Sequence, residues 1–376
     1  MGGSTAPGAG RIAGARWLAP CMLMLLATGL PPCRAVARAH SRAPFRQETA
    51  DGIQTLQSWY ARSTGLYQTT GWWNSANAIT VLANYSRVSH DKRYRSVFAN
   101  TFEQAQETSQ GFINQYYDDE GWWALAWIDV YDLTKKPQYL AMARSIFADM
   151  AGGWDSTCGG GIWWSKDKNY KNAIANELFL SVAAHLAARS TNSARERARY
   201  LDWAHREWYW FAASGMINEQ HVINDGLDFR TCQNNQGNTW SYNQGVILGG
   251  LVELNDAVPD PVLPATAQAI ASAALAKLTD ANGILHDSCE PNCGVDGVQF
   301  KGIFVRNLMA LDQARPDPRY KTFFNINAQS IWNTSRNTKK QFGEVWSGPF
   351  DAGNAAIQSS ALDAFVAAEA SRSQGR

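Results

Sequence analysis

Apolar residues recur every three or four positions along most of the chain, which is the spacing of one face of an α-helix. Gly, Pro and Asn-Asp stretches interrupt this pattern where helix breakers belong, and the alternation typical of strands is scarce. The pattern therefore predicts an all-α protein. The predicted helices cover residues 45–64, 74–90, 92–114, 120–134, 137–151, 171–190, 193–213, 241–256, 261–281, 298–313, 317–333 and 353–370.

A glycine-and-aromatic element precedes or opens every second predicted helix. The six elements are Gly71-Trp72-Trp73, Gly121-Trp122-Trp123, Gly161-Ile162-Trp163-Trp164, Thr239-Trp240-Ser241-Tyr242, Phe300-Lys301-Gly302-Ile303-Phe304 and Trp346-Ser347-Gly348-Pro349-Phe350. The helices that follow are rich in Ala and Gly, which lets helices approach closely, whereas the intervening helices carry more charge, as residues 195–199 do. Six hairpins of inner and outer helices predict an (α/α)6 barrel, and a helical solenoid is the competing architecture.

The first 37 residues differ from the rest of the chain. Arg11 and Arg16 precede an apolar stretch over residues 17–30, and Ala35-Val36-Ala37 offers small residues for cleavage. This pattern predicts a secretory signal peptide, with an uncleaved anchor as the alternative. Its removal takes away three arginines and no acid, so the formal charge changes from +1 to −2. A near-neutral mature protein has no electrostatic reason to bind nucleic acid. Residues 38–376 contain no linker and are predicted to form a single domain.

Four cysteines remain after the predicted cleavage, and an even number in an oxidising compartment indicates two disulfides. Cys289 and Cys293 flank a short turn and are expected to pair, which leaves Cys158 for Cys232. The cysteines are not spaced as in zinc fingers, so no metal is expected. Sequons at Asn84 and Asn333 suggest surface positions of a glycoprotein.

Two adjacent acids, Asp118 and Asp119, precede a predicted helix and lie between aromatic residues. An aspartate at this place is often an N-cap, because its carboxylate accepts a hydrogen bond from a free backbone N–H. The barrel, however, would place this helix start at its mouth. Cleavage of a glycosidic bond needs two carboxyl groups around that bond, and repulsion between neighbours would keep one of them protonated. The pair is therefore the candidate catalytic site.

Other polar and aromatic side chains are expected at the same mouth. The chain has 16 Trp, a number that suggests that some of them line a binding surface. For the Asn224–Asp228 segment a simple turn is an equal alternative, and for the Asn172 and Asn176 pair a solvated helix stripe is the alternative. The candidate substrate-binding residues are Trp72, Trp73, Asn77, Trp122, Trp123, Asn172, Asn176, Asp225, Asp228, Tyr242, Asn243, Gln244 and Lys301.

The segment Tyr117-Asp118-Asp119-Glu120-Gly121-Trp122-Trp123-Ala124-Leu125-Ala126-Trp127 resembles the central motif of glycoside hydrolase family 76, the endo-α-1,6-mannanases. Segments at 71–73, 171–176, 242–245 and 300–304 are also similar to that family, and the likeness spans about residues 50–365. The resemblance implies an (α/α)6 barrel and a retaining mechanism on α-1,6-mannan, with no cofactor. It further implies Asp118 as nucleophile and Asp119 as acid/base.

Three alternatives to a mannanase remain open. Some family members are thought to transfer anchor glycans onto wall polymer, but they typically carry a lipid-anchor sequence that the C-terminal residues of this chain do not contain. A non-catalytic barrel would use its Trp residues to bind glycan and its two Asp residues as helix caps. A lyase or terpene cyclase would need a different set of polar residues. The expected protein is a monomer that binds mannose-containing glycan, secreted or in the cell wall, without a stable membrane span.

Overall fold

The described chain, residues 45–373 of a computed structural model, is built from helices that alternate between two rings. The predicted signal peptide lies outside the described residues. None of the described helices is both long enough and apolar enough to cross a bilayer. The helices are α1 Arg46–Gln57, α2 Trp72–Ser89, α3 Arg95–Gln104, α4 Tyr117–Thr134, α5 Pro137–Met150, α6 Ala173–Arg189, α7 Ala194–Ala213, α8 Ser241–Ala257, α9 Val262–Leu278, α10 Phe300–Ala314, α11 Pro318–Thr334 and α12 Ala355–Ser373.

The even-numbered helices form a closed inner ring. Each of α2, α4, α6, α8 and α10 contacts the next even-numbered helix, and α12 returns to α2. Small residues permit this closure: a Cβ at Gly245 of α8 would lie 2.5 Å from the Phe304 Cα of α10. Likewise, a Cβ at Gly302 would lie 2.5 Å from the Ser360 Cα of α12. The odd-numbered helices pack outside this ring. The predicted (α/α)6 barrel is confirmed, and a solenoid is excluded because the ring closes.

The ends of several elements differ from the predicted ones. Helix α1 ends at Gln57, and the chain then forms a hairpin of β1 (Tyr60–Ala61) and β2 (Leu66–Tyr67) instead of more helix. The predicted helix 92–114 covers only Arg95–Gln104, and two short 3₁₀ segments follow, the second of which turns at Gly111 with a positive φ. Helix α4 begins at Tyr117, three residues before the predicted start, so both adjacent aspartates lie in its first turn.

A small antiparallel sheet brings two distant segments to the barrel mouth. Strand β3 (Lys171–Asn172) pairs with β4 (Gly226–Asp228), which pairs with β5 (Gln233–Asn234). In this register Asn172 lies opposite Gly226, and the backbone N–H of Ala173 donates to the carbonyl of Asp225. Asn172 and Asp225 therefore meet beside one pocket although they are far apart in sequence. The strands have only two or three residues each, too few for an alternating pattern to be visible.

Side-chain amides form hydrogen bonds with the backbone of the loops that follow the outer helices. Four such loops each contain an isolated β-bridge, and the bridged apolar residue donates its backbone N–H to an amide oxygen over 2.7 to 2.9 Å. A buried backbone N–H without a partner would be costly, so these amides are part of the repeat. The pairs are Asn176 with Ile162, Gln244 with Ile223, Asn327 with Leu285 and Gln358 with Phe342.

Both expected disulfides are present, and they fasten loops at the barrel mouth. Cys158–Cys232 joins the loop before β3 to the turn between β4 and β5, and Cys289–Cys293 closes a short loop before α10. The suggestion that the two sequons mark the surface is correct only for Asn333, which is exposed. Asn84 is buried within α2, so its surface position was wrong.

Candidate active site

A pocket of about 570 Å³ opens where the N-terminal ends of five inner helices meet. Backbone N–H groups at helix N-termini point toward this end of the barrel, so it is suited to hold negatively charged groups. Aromatic rings and carboxyl groups make up most of the wall. The lining residues are Trp73, Tyr116, Asp118, Asp119, Trp122, Trp164, Tyr170, Asn172, Asp225, Tyr242, Asp296 and Phe300.

The two adjacent aspartates both line this pocket and neither is the N-cap of α4. The N-cap is Tyr116, which makes no capping hydrogen bond with its side chain. The indole Nε1–H of Trp164 donates to Asp118 Oδ2 over 3.0 Å, and the backbone N–H of Asp119 donates to Asp118 Oδ1 over 3.1 Å. Asp119 Oδ2 accepts from the Asn114 side-chain amide over 2.7 Å. Both carboxyl groups are thus oriented by N–H donors while they remain accessible from the pocket.

Burial raises the pKa of both acids, and a neighbouring carboxylate adds to the rise in each, Asp119 beside Asp118 and Asp296 beside Asp119. Burial, and next the charge of Asp119, raises the pKa of Asp118 well above its usual range. Burial raises the pKa of Asp119 to about 6, against the hydrogen bond from Asn114. Because the two groups interact, they titrate as a pair that keeps one proton over a wide pH range. The N–H donors on Asp118 oppose the rise in its pKa, and they stabilise its carboxylate when the pair carries one negative charge.

A row of aromatic rings forms one wall of the pocket. Trp73 stacks on Trp122 with ring centroids 5.8 Å apart, and Trp122 stacks on Tyr242 over 6.5 Å. Tyr242 stacks on Phe300 over 3.7 Å. These four residues come from α2, α4, α8 and α10, so the closure of the inner ring places them in line. The row gives this wall an apolar aromatic surface, of the kind against which the C–H face of a sugar ring packs.

Two further carboxyl groups face the same space. Asp225 Oδ2 accepts from the Tyr170 hydroxyl over 2.5 Å, and Asp296 Oδ1 accepts from the Trp73 Nε1–H over 2.9 Å. Burial raises the pKa of Asp225, and the hydrogen bond from Tyr170 opposes that rise. Within the described chain, the pocket lining holds four carboxyl groups and no lysine or arginine. The ionisable carboxyl groups of the lining are therefore not balanced by a basic side chain within it.

Replacing Asp296 with asparagine is expected to move the basic limb of the pH–activity profile to lower pH. The negative charge of Asp296 helps to raise the pKa of Asp119, so its removal lets the Asp119 proton leave at a lower pH. Asparagine keeps an oxygen that can accept from Trp73. The measurement is kcat/KM against pH on a short oligosaccharide substrate, with the exposed Asp167→Asn as control. A basic limb that stays in place, or moves upward, would contradict this coupling.

Among the substrate-binding candidates, five line the pocket. Trp73, Trp122 and Tyr242 belong to the aromatic row, while Asn172 and Asp225 lie on the small sheet beside it. Asn172 is also the N-cap of α6, since its Oδ1 accepts from the Ala175 N–H over 3.3 Å. Its amide therefore combines a structural contact with a position at the pocket.

Three candidates of α2 and α4 lie behind the pocket wall, which corrects their expected place in it. Trp123 is fully buried, and the ring of Trp72 packs against it with centroids 5.5 Å apart. Asn77 accepts a hydrogen bond from Arg306. These side chains contact other residues of the barrel and do not line the pocket, since Trp123 packs between the two rings of helices against Phe112 and Trp127.

The remaining five candidates also serve the structure and do not line the pocket, again a correction. Asn176 and Gln244 are two of the loop-fastening amides, and Asn243 is fully buried. Asp228 is exposed and accepts from the Arg230 N–H in a turn over 2.9 Å. Lys301 is buried and pairs with Glu290, which holds the loop that carries Asp296. The sequence pattern cannot distinguish a polar side chain that lines a cavity from one that binds backbone.

Five lining residues are absent from the candidate set: Tyr116, Trp164, Tyr170, Asp296 and Phe300. Trp164 and Phe300 belong to the repeated glycine-and-aromatic elements, so those elements could have identified them. Asp296 lies in a loop without any motif, and only the disulfide loop and the barrel closure bring it to Trp73. Within residues 45–373, no cluster of three or more His, Cys, Asp or Glu side chains could hold a metal ion.

The closed double ring of helices and the paired carboxyl groups at its mouth place the chain in the class of (α/α)6 barrels with an acidic pocket. The profile of glycosyl hydrolase family 76 matches residues 46–375, and the chain belongs to this family, as the resemblance predicted. Among curated relatives, mannan endo-1,6-alpha-mannosidase DCW1 of Eremothecium gossypii is 28% identical over a match that covers 66% of this chain and 59% of that protein. DCW1 of Saccharomyces cerevisiae is 26% identical over 82% of this chain and 74% of that protein. This chain thus spans only three fifths of the first relative's length.

Solved structures have the same fold. An inactive variant of the alpha-1,6-mannanase of Salegentibacter sp. HEL1_6, in complex with alpha-1,6-mannotetrose, has a TM-score of 0.78 at 21% identity, covering 87% of this chain and 99% of that chain. Dfg5 from Chaetomium thermophilum, in complex with glucosamine, has a TM-score of 0.77 at 20% identity, covering 89% and 93%. At these identities the structural likeness concerns the fold.

Proposed function

We propose that this protein hydrolyses α-1,6-mannosidic linkages within mannan by a retaining, double-displacement mechanism. The observation that carries the proposal is that Asp118 and Asp119 both open into one aromatic-walled pocket while N–H donors hold each carboxyl group. The aromatic row, in which Trp73 and Tyr242 are half-buried, offers an apolar surface against which a pyranose ring packs.

Each acid has one role in each of two steps. In the first, Asp118 attacks the anomeric carbon while Asp119 gives its proton to the departing glycosidic oxygen, so that a mannosyl–enzyme ester forms. In the second, Asp119 takes a proton from water, the water oxygen attacks the anomeric carbon, and the bond to Asp118 breaks. Two inversions at one carbon retain its configuration. The hydrogen-bond donors on Asp118 support this division, because they favour its ionised form.

The names of the relatives support the substrate class. The curated relatives are named mannan endo-1,6-alpha-mannosidase, and the Salegentibacter mannanase was made inactive by substitution of two consecutive aspartates. Asp118 and Asp119 are the only two consecutive aspartates in the present sequence. A purely glycan-binding barrel, in which both acids are helix caps, is less well supported, since neither is the N-cap of α4.

A second candidate function is transfer of the mannosyl group to a sugar acceptor. The observation that favours it is the charge of the pocket, whose four carboxyl groups would attract a glycan that bears an amine. The Chaetomium relative was crystallised with such an amino sugar, glucosamine. The chemistry of the first step is the same, and only the group that attacks the mannosyl–enzyme differs.

We further propose a single catalytic domain over residues 38–376, secreted or held in the cell wall.

Product analysis tests the proposal and separates the two candidates. Incubation with α-1,6-mannotetraose, followed by NMR, should give shorter oligosaccharides whose new reducing ends appear first as the α-anomer. First appearance of the β-anomer would contradict a retaining mechanism. The same assay with excess glucosamine-containing acceptor should leave the products unchanged if water is the natural acceptor, whereas longer, amine-bearing products would favour transfer.

The roles of the two acids are expected to separate when azide is added to alanine variants acting on an aryl α-mannoside. Asp119→Ala leaves the nucleophile in place, so azide should attack the mannosyl–enzyme and give the α-mannosyl azide. Asp118→Ala leaves the acid/base, so azide should attack the substrate directly and give the β-azide. The azide anomer is identified by NMR. The opposite pairing of variant and anomer would exchange the two roles.

A further inference from the structure

A groove of about 780 Å³ lies on the outer surface of the barrel, apart from the catalytic pocket. The loop over residues 154–159 forms one side, and the C-terminal half of α7 forms the other. Tyr209 on α7 has 65% of its surface exposed, and Trp154 and Trp210 are half-buried beside it. None of these three aromatic residues lines the pocket of Asp118 and Asp119.

The groove combines aromatic rings with polar groups of opposite charge. The Arg206 guanidinium lies 4.7 Å from the ring centroid of Trp154, with its charged group exposed at the surface. Asp155 lines the opposite side and is ion-paired with Lys171 over 3.0 Å. Because Lys171 neutralises Asp155 and the Arg206 guanidinium lies over the Trp154 ring, the groove offers aromatic faces beside hydrogen-bonding groups, which suits a ligand rich in hydroxyl groups. Rings would contact its C–H faces, while the guanidinium and carboxylate would bind its hydroxyls.

The wall of the groove is rigid before any ligand arrives. The buried Lys171 ammonium donates to Asp155 Oδ1 and to the carbonyls of Thr157, Gly160 and Gly161 over 2.6 to 3.0 Å. The ring of Trp210 lies so close to the loop that a Cβ at Gly161 would be 2.3 Å from it. The Cys158–Cys232 disulfide adds a covalent link. A preformed site loses little conformational entropy on binding.

The segment of residues 154–164, which contains this loop, connects the groove to the catalytic pocket. Trp154 and Asp155 lie at its beginning in the groove, and Trp164 at its end donates to the catalytic candidate Asp118. In between, the Trp163 Nε1–H donates to Asp155 Oδ2 over 2.6 Å. A polymer could therefore be held at one end of this loop while another part of it is cleaved at the other end.

We propose that this groove is a second glycan site that binds α-mannan outside the catalytic pocket and so raises the local concentration of polymer. The proposal rests on the proposed mannanase function for the identity of its ligand. A short oligosaccharide that fills only the catalytic pocket gains nothing from the groove, whereas a long chain engages both sites.

The test is a Tyr209→Ser/Arg206→Ser variant, in which both changes are at exposed positions and should leave folding intact. On polymeric α-1,6-mannan we expect kcat/KM to fall about fivefold or more, whereas on α-1,6-mannotetraose it should stay within about twofold of the wild type. In an Asp118→Asn background, retardation in a gel containing mannan should decrease with the same two substitutions. Val262→Ser, at an exposed apolar position of α9, is the matched control.

Each other outcome has a distinct meaning. Wild-type action on polymer and wild-type gel retardation in the groove variant would overturn the groove proposal while the mannanase function stands. An equal loss on both substrates would overturn it too, because the groove would then act on the catalytic pocket. Size-exclusion chromatography with light scattering measures the oligomeric state. If the wild type is a dimer and Tyr209→Ser dissociates it, the groove is a protein interface and not a glycan site. If the wild type cleaves neither substrate, the proposed function fails, and the gel alone decides whether the groove binds mannan.

Discussion

Replacing Asp118 with asparagine is expected to abolish turnover and, at neutral pH, to make the protein more stable. Loss of the nucleophile should reduce kcat by about 10⁴-fold or more, because no ester to the enzyme can form. The gain in stability, on the order of 1 kcal/mol, comes from removing a partly buried charge beside Asp119. The asparagine Oδ1 can still accept from the Trp164 indole, so the local structure should persist.

The stabilisation should depend on pH in a direction that the raised pKa fixes. The folded protein binds the Asp118 proton more tightly than the unfolded chain does, whose aspartate pKa is about 3.9. Below that pH the Asp118 carboxyl group is protonated in both the folded and the unfolded state, so it does not lower the free energy of unfolding. As the pH rises through the folded-state pKa, the wild type loses stability while the asparagine variant does not. Differential scanning calorimetry should therefore find that the difference in Tm between the two proteins grows from pH 4 to pH 8.

Two results would contradict this account of Asp118. A variant that retains measurable turnover would exclude Asp118 as the nucleophile. A Tm that falls, or a difference independent of pH, would mean that the carboxylate stabilises the mouth of the barrel as part of its structure. The exposed Asp167→Asn should change neither activity nor Tm, and it controls for the loss of one negative charge near the mouth.

The barrel could be predicted from the sequence because its determinants are local. Helical spacing marks each helix, and small residues such as Gly245 and Gly302 mark the faces where inner helices approach closely. The adjacent aspartates could be identified because residue type, neighbouring aromatics and helix position coincide in one segment. The predicted start of their helix was three residues too late. Polar residues near a helix start do not show which of them is the N-cap and which lie in the first turn.

The rest of the site depends on contacts between residues that are distant in the chain. Asp296 reaches the pocket only through its loop and its bond to Trp73, 223 residues away. Asn176 and Gln244 have the residue type and helix position of sugar-binding amides, yet their amide groups bind the backbone of Ile162 and Ile223. An amide residue at this helix position has the same sequence pattern whether it binds a sugar or a backbone group. Only the packing of the loops onto the helices decides between them.

Replacing Lys171 with methionine is expected to have the largest effect on stability, a loss of about 3 to 5 kcal/mol. The side chain is fully buried, and its ammonium satisfies three backbone carbonyls together with the Asp155 carboxylate. Methionine fills a similar volume but removes the donor that the three carbonyls share, whereas Asp155 keeps the N–H donors of Thr157 and Trp163. Unfolding in urea, followed by Trp fluorescence, measures the difference in free energy.

Lys168→Met is the matched control, because Lys168 approaches the same Asp155 from the surface. Its ammonium lies 3.9 Å from Asp155 Oδ2 with half of its side chain exposed, so its removal should cost at most about 1 kcal/mol. Equal losses in the two variants would show that the charge balance of Asp155, and not the buried network, stabilises the loop.

Lys171→Met is also expected to lower activity. The segment of residues 154–164 ends at Trp164, which donates to Asp118, and strand β3 carries Asn172 next to Lys171, so the folded variant should lose activity roughly tenfold to a hundredfold. Unchanged kcat/KM in that folded variant would mean that the pocket wall does not depend on the loop it shares with the outer groove.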